Sequence, residues 1–330
     1  MVAAASRTGN SPRMIAPIGR LAPSPTGGLH LGHARTFLVA WLSARSAGGR
    51  IVLRIEDIDA SRIRPGATEA AIIDLRWLGL DWDEGPDVGG PHAPYLQSER
   101  RDRYHAALEN LRRRELVYPC TCSRAEIARA SSAPHDGDEG PRYPGTCATR
   151  RAGDAGILAG RPFCWRFRTT SRSVSWRDLI RGPCTGDPSA SGDFLVGRSS
   201  GEPAYQLAVV CDDAAMAVGQ VIRGDDLMTS TPKQILLYEA LGLGAPSFGH
   251  VPLVVGADGR RLAKREESIK LSTFRERGVE PARIVASIGR SCGMTLPGEG
   301  YTPSDLIRRF DLGQIPLSPW VASLDGLDQI

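Results

Sequence analysis

The sequence predicts an α/β chain with a parallel sheet, and three observations carry that expectation. Short β-branched apolar runs alternate with stretches of helical period, a Pro- and Gly-rich loop leads into the first such stretch, and a Cys-, Pro- and Arg-rich region interrupts the alternation. At 330 residues and 41% hydrophobic content the chain can bury a sizeable core, and its length suggests two or three structural units. Its 37 Gly and 24 Pro stay below the combined share of roughly 25–30% that marks low-complexity chains, so a globular protein with many loops follows. A net charge of +4 permits attraction to a polyanion and fits an ordinary mildly basic enzyme equally well, so charge decides nothing. Residues 1–17 lack the apolar stretch of a signal peptide, and no later apolar run approaches the roughly 18 residues needed to span a membrane; the expected location is the cytoplasm. In a reducing compartment the seven Cys, odd in number and including Cys120-Thr121-Cys122, read better as metal ligands than as a disulfide framework.

The elements follow in order. Arg20-Leu-Ala-Pro-Ser-Pro-Thr-Gly-Gly28 is too rich in Pro and Gly to stay regular, and His33 to Ala47 then carries Phe37, Leu38, Trp41 and Leu42 at helical spacing, which predicts a loop entering a helix. Gly48-Gly49 ends it, and Ile51 to Ile55 is an apolar run of the kind buried in parallel sheets. Thr68 to Leu80 and Ser98 to Val117 read as further helices, the second with Ser98 as N-cap. From Val117 to about Pro188 the periodicity fades in what reads as an insertion, with Ser131 to Gly140 as a mobile loop. Regular signals resume at Tyr205 to Cys211, around Val218 to Ile222, and in a helix framed by Ser230 or Thr231, Pro232 and Gly242. Beyond Leu253 a basic loop precedes helical patterns.

Two strings suggest phosphate chemistry. His30-Leu31-Gly32-His33 lies where the loop becomes the helix, so backbone N–H groups and the helix dipole favour an anion while two imidazoles can donate to phosphate oxygens, and Gly32 lets the backbone approach a nucleotide. Arg260-Arg-Leu-Ala-Lys264-Arg265 is a basic loop whose Lys264 could neutralise charge on transferring phosphates. Each alone is unspecific: paired surface His and solvated basic runs are common.

Together the two strings resemble the signature motifs of class I aminoacyl-tRNA synthetases. The second is degenerate, since Arg261, Ala263 and Arg265 replace the first Lys and both Ser of the pattern K-M-S-K-S, and Lys264 alone is retained. Arg20-Leu-Ala-Pro-Ser-Pro-Thr-Gly, Leu53-Arg-Ile-Glu-Asp-Ile-Asp, Tyr205-Gln-Leu-Ala-Val-Val-Cys-Asp-Asp and Val221-Ile-Arg-Gly-Asp-Asp-Leu each resemble glutamyl-type synthetase motifs, in the family's order. The resemblance implies a Rossmann-type parallel sheet, ATP with magnesium as substrate, and catalysis by His30, His33 and Lys264, with ATP bound by these and Gly32. It implies a glutamate pocket of Arg20, Ser24, Glu56, Tyr205 and Arg223, and the chemistry agrees: two Arg can hold two carboxylates, and Glu56 can pair the ammonium. The plain alternatives are an ion pair of Glu56 with Arg54 or Arg62, and a surface pair of Arg223 with Asp225.

Three thiolates at Cys120, Cys122 and Cys147 suit zinc, and chemistry alone would nominate Cys164, Cys184 or His135 as the fourth ligand. The glutamyl-queuosine tRNA(Asp) synthetases, shortened relatives of glutamyl-tRNA synthetase, carry C-x-C followed by Y-x3-C as their zinc site, which matches Cys120, Cys122, Tyr143 and Cys147. The competing reading is unliganded buried thiols. The expected plan is an N-terminal extension over 1–17, the first half of the catalytic domain over 18–116, a zinc-containing insertion over 117–190, the second half over 191–255, and a basic loop with a small helical part over 256–330. That plan leaves no room for a separate anticodon-binding part, and the resemblance to the shortened relatives, which lack one, implies queuosine in tRNA(Asp) as the acceptor; the expected state is a monomer. The rivals are a truncated glutamyl-tRNA synthetase charging the 3′ end of tRNA(Glu) and an inactive zinc-containing RNA-binding paralogue.

Overall fold

The computed structural model describes residues 16–130, 141–158, 160–256, 258–259 and 269–322. The loop Ser131 to Gly140 with His135, and Arg260 to Arg265 with Lys264, lie outside the described residues.

Strand β1 (Ile18–Leu21) runs parallel to β2 (Arg50–Leu53), with Ile18 opposite Arg50 and Leu21 opposite Leu53. Between them lies α1 (Leu31–Ser46), which starts two residues earlier than the apolar spacing predicts because His30 caps it. It ends at Gly48, whose positive φ of 68° suits glycine. The run Ile51 to Ile55 leaves strand geometry after Leu53, and Ile55 bridges Leu96 instead. Helix α2 (Ala67–Trp77) stops before the predicted Leu80, since Gly79 turns into the left-handed region at φ 82°. Helix α3 (Arg101–Arg113) is shorter at both ends than the sequence suggests. Ser98 is not its cap: its N–H and hydroxyl both bond the Asp57 carboxylate, at 2.8 and 2.6 Å, in a separate turn.

Strands β3 (Val117–Cys120) and β4 (Cys164–Phe167) pair antiparallel, followed along the chain by the hairpin β5 (Val174–Asp178) and β6 (Gly182–Gly186) and by β7 (Phe194–Gly197), which pairs with β4. Helix α4 (Arg124–Ala130) follows β3, and the antiparallel unit runs past residue 190. Tyr205 to Cys211 forms part of α5 (Tyr205–Ala215). Strand β8 (Gln220–Gly224), α6 (Ser230–Leu241) and β9 (Ser247–Val251) then make a second parallel pair around a crossover helix. As predicted, Gly242 ends α6 in the left-handed conformation. A short β10 (Val254–Val255) leads toward α7 (Leu271–Glu276), α8 (Pro281–Ser291) and α9 (Pro303–Leu306), and β11 (Trp320–Val321) returns to pair with β10, so the last part is not purely helical.

The two parallel pairs meet where Gly219 N–H bonds Ile18 C=O at 3.0 Å and β1 lies beside β8, giving a layer in the order β2, β1, β8, β9. Successive strand residues alternate between two cores. Ile51, Leu53, Ile222 and Val251 join α1 and the C-terminal helices, whereas Val52, Val221 and Phe248 join α3, α5 and α6. A sheet covered on both faces accounts for the near-continuous apolar strands. No helix among the described residues is long and apolar enough to cross a membrane.

Candidate active site

In such open sheets ligands bind beyond the carboxyl ends of the strands, and several residues singled out from sequence lie at or just beyond those ends: Arg20 and His30 with β1, Glu56 after β2 and Arg223 on β8. At the first end, the loop after β1 delivers His30 in an extended conformation onto α1. His30 Nδ1 accepts Gly32 N–H at 3.1 Å, His33 Nδ1 accepts His30 N–H at 3.3 Å, and the two rings stack with centroids 3.7 Å apart. With both Nδ1 atoms accepting, each neutral ring carries its proton on Nε2, the form that can donate to a phosphate oxygen. A Cβ on Gly32 would meet the His30 ring at 3.0 Å, so a side chain here would press on that ring. Lys270 bridges His30 through the backbone, and Leu271 N–H bonds Leu29 C=O at 2.9 Å, which holds the segment following the basic loop against the start of α1. Lys264 itself lies outside the described residues.

In the second group Arg20 and Arg223 are buried and Glu56 and Tyr205 half-buried. Arg20 on β1, Glu56 beyond β2, Tyr205 at the start of α5 and Arg223 on β8 lie close enough to interact electrostatically. Burial, and then the Glu56 charge, raise the Tyr205 hydroxyl; burial lowers Arg223, with Tyr205 and Arg20 as its nearest electrostatic partners. Burial pushes the Glu56 carboxyl above its ordinary value against the pull of Arg54 and Arg20. Glu56 does pair with Arg54, at 3.1 Å, rather than with Arg62. Arg54 is not dependent on it, because Asp213 lies at 2.7 Å and Asp212 at 3.8 Å. Arg20 also meets Asp213, at 3.2 Å, while Asp212 takes Gln97, Arg100 and Tyr104. The suggested surface pair of Arg223 with Asp225 does not form: Arg223 is buried, and Asp225 pairs with Arg181 at 2.6 Å. Ser24 is exposed in the loop after β1, beside Pro23, whose carbonyl accepts Glu56 N–H. Two guanidinium groups, a carboxylate and a phenol at one pocket suit a small zwitterion bearing carboxylates.

Arg223 is held by residues the sequence did not single out. Its Nε donates to His250 Nε2 at 3.1 Å, Nη1 to Gln234 at 2.8 Å and Nη2 to Thr231 at 2.7 Å, while Gln234 in turn donates to Gln206. Behind them His250 Nδ1 meets Asp178 Oδ2 at 2.5 Å.

The cysteine pattern converges as well. The sulfurs of Cys120, Cys122 and Cys147 all lie within 4.8 Å of one another, and Cys122 and Cys147 are 3.7 Å apart. A tetrahedral zinc with Zn–S bonds of about 2.3 Å has S···S edges of about 3.8 Å, so the donor set fits that ion. The Tyr143 hydroxyl lies 3.5 Å from Cys120 Sγ and accepts Cys147 N–H at 2.8 Å. Cys164 faces Cys120 across β3 and β4 and donates its thiol to the Cys120 carbonyl at 3.3 Å, while Cys184 lies on β6, near Asp178.

The family described as class I tRNA synthetases (E and Q), catalytic domain, matches residues 18–328. The chain is 52% identical over 307 residues to a glutamyl-Q tRNA(Asp) synthetase of Symbiobacterium thermophilum, covering 91% of this chain and 94% of that protein. It is 42% identical to a glutamate–tRNA ligase of Anaeromyxobacter dehalogenans, covering 95% of this chain and 65% of that one. Among solved structures, a glutamate tRNA ligase from Elizabethkingia meningosepticum in complex with its amino acid superposes with a TM-score of 0.82 at 29% identity, covering 95% of this chain and 68% of that chain. The chain belongs to the class I tRNA synthetases (E and Q), and by identity and extent of match it groups with the glutamyl-Q tRNA(Asp) synthetases.

Proposed function

We propose that this chain is a ligase that activates L-glutamate with ATP and transfers it to the queuosine base of tRNA(Asp), working as a monomer in the cytoplasm. The observations that carry the reading are the grouping of buried Arg20 and Arg223 with half-buried Glu56 and Tyr205, and the helix N-terminus built from His30, Gly32 and His33. Arg20 and Arg223 serve as partners for the two carboxylates of glutamate, Glu56 for its ammonium, Tyr205 as a hydroxyl donor, and Ser24 closes the pocket from the loop. The glutamate α-carboxylate oxygen attacks the α-phosphorus of ATP; the new O–P bond forms as the bond to pyrophosphate breaks. The N-terminus of α1, the Nε2–H groups of His30 and His33, and Lys264 stabilise the charge that spreads over the phosphates, and magnesium accompanies ATP as part of the substrate. A hydroxyl of the queuosine cyclopentenediol then attacks the carbonyl carbon of the adenylate, and AMP leaves. Cys120, Cys122 and Cys147, with Tyr143 as the fourth donor, would hold one structural zinc ion that ties the β3 end to the Tyr143–Cys147 loop.

The acceptor rests on identity to proteins named for that substrate, and it is tested directly. Purified enzyme is offered radiolabelled glutamate, ATP and, in parallel, queuosine-containing tRNA(Asp), unmodified tRNA(Asp) and tRNA(Glu). Transfer to the first alone is the expected result, because a tRNA without the cyclopentenediol lacks the attacking hydroxyl itself. Efficient charging of tRNA(Glu) at its 3′ end would overturn the acceptor, and absence of both transfer and adenylate would overturn the enzyme.

A further inference from the structure

His250 and Asp178 are among the most buried polar groups of the described residues, and they line up behind Arg223: Arg223 bonds His250, and His250 bonds Asp178. The hydrogen bonds fix the protonation of the ring. Arg223 Nε is always a donor, so His250 Nε2, at 3.1 Å, must accept. Thr231 Oγ1 accepts from Arg223 Nη2 at 2.7 Å, which leaves its own proton for the same His250 Nε2 at 3.0 Å. The imidazole proton therefore sits on Nδ1 and goes to Asp178 Oδ2 at 2.5 Å. The three groups close a small ring of donors and acceptors that orients the guanidinium in its plane, with Gln234 fixing Nη1 at 2.8 Å.

We propose that Asp178 and His250 are positioning residues for glutamate: by holding the imidazole neutral with its proton on Nδ1, they set the Arg223 guanidinium for the substrate carboxylate. This inference rests on the reading of Arg223 as a glutamate contact. The charged groups facing His250 are Asp178 and Arg181 of the β5–β6 hairpin and Arg223 of β8, with the neutral Thr231 from α6. A second proton, on Nε2, would face the Arg223 cation and leave two donors opposed. Burial already lowers the His250 pKa, and Arg223 and Arg181 add to that against the pull of Asp178, so the neutral ring is the resting form.

The isosteric variant Asp178→Asn tests this sharply. Asp178 Oδ1 accepts backbone N–H bonds from Ile180, Arg181 and His250 at 3.0, 2.9 and 3.2 Å. The Asn oxygen must take that place, which puts the amide NH2 where Oδ2 faced His250 Nδ1. The ring then accepts at Nδ1 and carries its proton on Nε2, directed at Arg223, while the shape of the site is kept. Pyrophosphate exchange should show KM for glutamate raised about ten- to a hundredfold, with KM for ATP and the melting temperature near wild type. Arg223→Ala, measured alongside, should raise KM for glutamate at least as much. If Arg223→Ala does so and a folded Asp178→Asn does not, the positioning role is wrong and the glutamate reading stands. If Arg223→Ala leaves KM for glutamate unchanged, the reading of Arg223 falls and the positioning role with it. Should Asp178→Asn not fold, the nitrogen chemical shifts of His250 in the wild-type protein decide: protonation on Nδ1 at neutral pH supports the assignment, and protonation on Nε2 overturns it.

Discussion

Glu56→Gln separates a substrate contact from a structural ion pair, because the neighbours of Glu56 give the two roles different readouts. The variant keeps volume and one acceptor oxygen, removes the charge and turns the other oxygen into an NH2 donor. Arg54 keeps Asp213 at 2.7 Å and Asp212 at 3.8 Å, so the buried guanidinium stays neutralised, and loss of stability should remain below about 1 kcal/mol. In the proposed reading Glu56 is the partner assigned to the glutamate ammonium. A hydrogen bond between charged groups contributes about 1.5–3 kcal/mol, and its loss corresponds to roughly a ten- to 150-fold fall in kcat/KM for glutamate. The pH profile adds a second signature. Burial holds the Glu56 carboxyl above its ordinary 4.5, so activity should begin to fall at a higher pH than an ordinary carboxylate would allow, as the group takes up a proton and stops pairing the ammonium. In Glu56→Gln that acid limb should be absent. The assay is pyrophosphate exchange at varied glutamate and pH, with thermal unfolding of both proteins. A variant with wild-type kcat/KM and a clearly lower melting temperature would refute the reasoning and make Glu56 a purely structural partner of Arg54.

The other expectations are briefer. Preparations should hold one zinc per chain, lost in Cys120→Ser/Cys147→Ser, since removing two of the three thiolates leaves too few ligands; metal analysis that finds full retention would move the site elsewhere. Lys264→Ala should slow adenylate formation far more than it weakens glutamate binding, and unchanged pyrophosphate exchange in the folded variant would remove Lys264 from the mechanism. Asp74, buried beside Arg275 at 3.0 Å, is raised to about 6 because burial outweighs that pair. A carboxyl whose folded pKa is raised contributes stability below its unfolded value near 3.8, and that contribution is lost as pH rises through about 6. Asp74→Asn should therefore gain on the order of 1–3 kcal/mol at pH 8 and little at pH 4; urea unfolding that shows the gain equally at both pH values would contradict the assignment.

What the sequence could show follows from how far apart the interacting groups lie along the chain. Helix α1 and the turn at Gly48, or α6 with Gly242 behind it, are set by neighbours within a few residues and were readable as period and cap. Ser98 reads as a helix cap in sequence because the carboxylate that captures it, Asp57, belongs to another segment and leaves no local mark. The proposed glutamate contacts stand out only through resemblance, since Arg20, Glu56, Tyr205 and Arg223 belong to four different segments, and Glu56 and Arg223 each have an ordinary ion pair as an alternative. His250 and Asp178 had no signal at all: one His in a strand and one Asp in a hairpin acquire meaning only once β9 lies against β5. Tyr143 was a poor zinc ligand by chemistry, and the folded chain nevertheless brings its hydroxyl to Cys120 and the Cys147 backbone.

The neighbouring of β1 and β8 also sets a timetable for synthesis. Ile18 and Gly219, which bond to each other, lie roughly 200 residues apart, and a ribosome adding about 5–20 residues per second separates their emergence by about 10–40 s. Throughout that interval β1 can pair with β2 on one side while its other edge stays open, an invitation to neighbouring nascent chains. Arg20 likewise waits for Tyr205 and Arg223 before the proposed glutamate site can form. Fragments of this gene that stop short of β8 should therefore aggregate and bind no glutamate, and slowing translation before β8 should lower the yield of soluble protein more than slowing it afterwards.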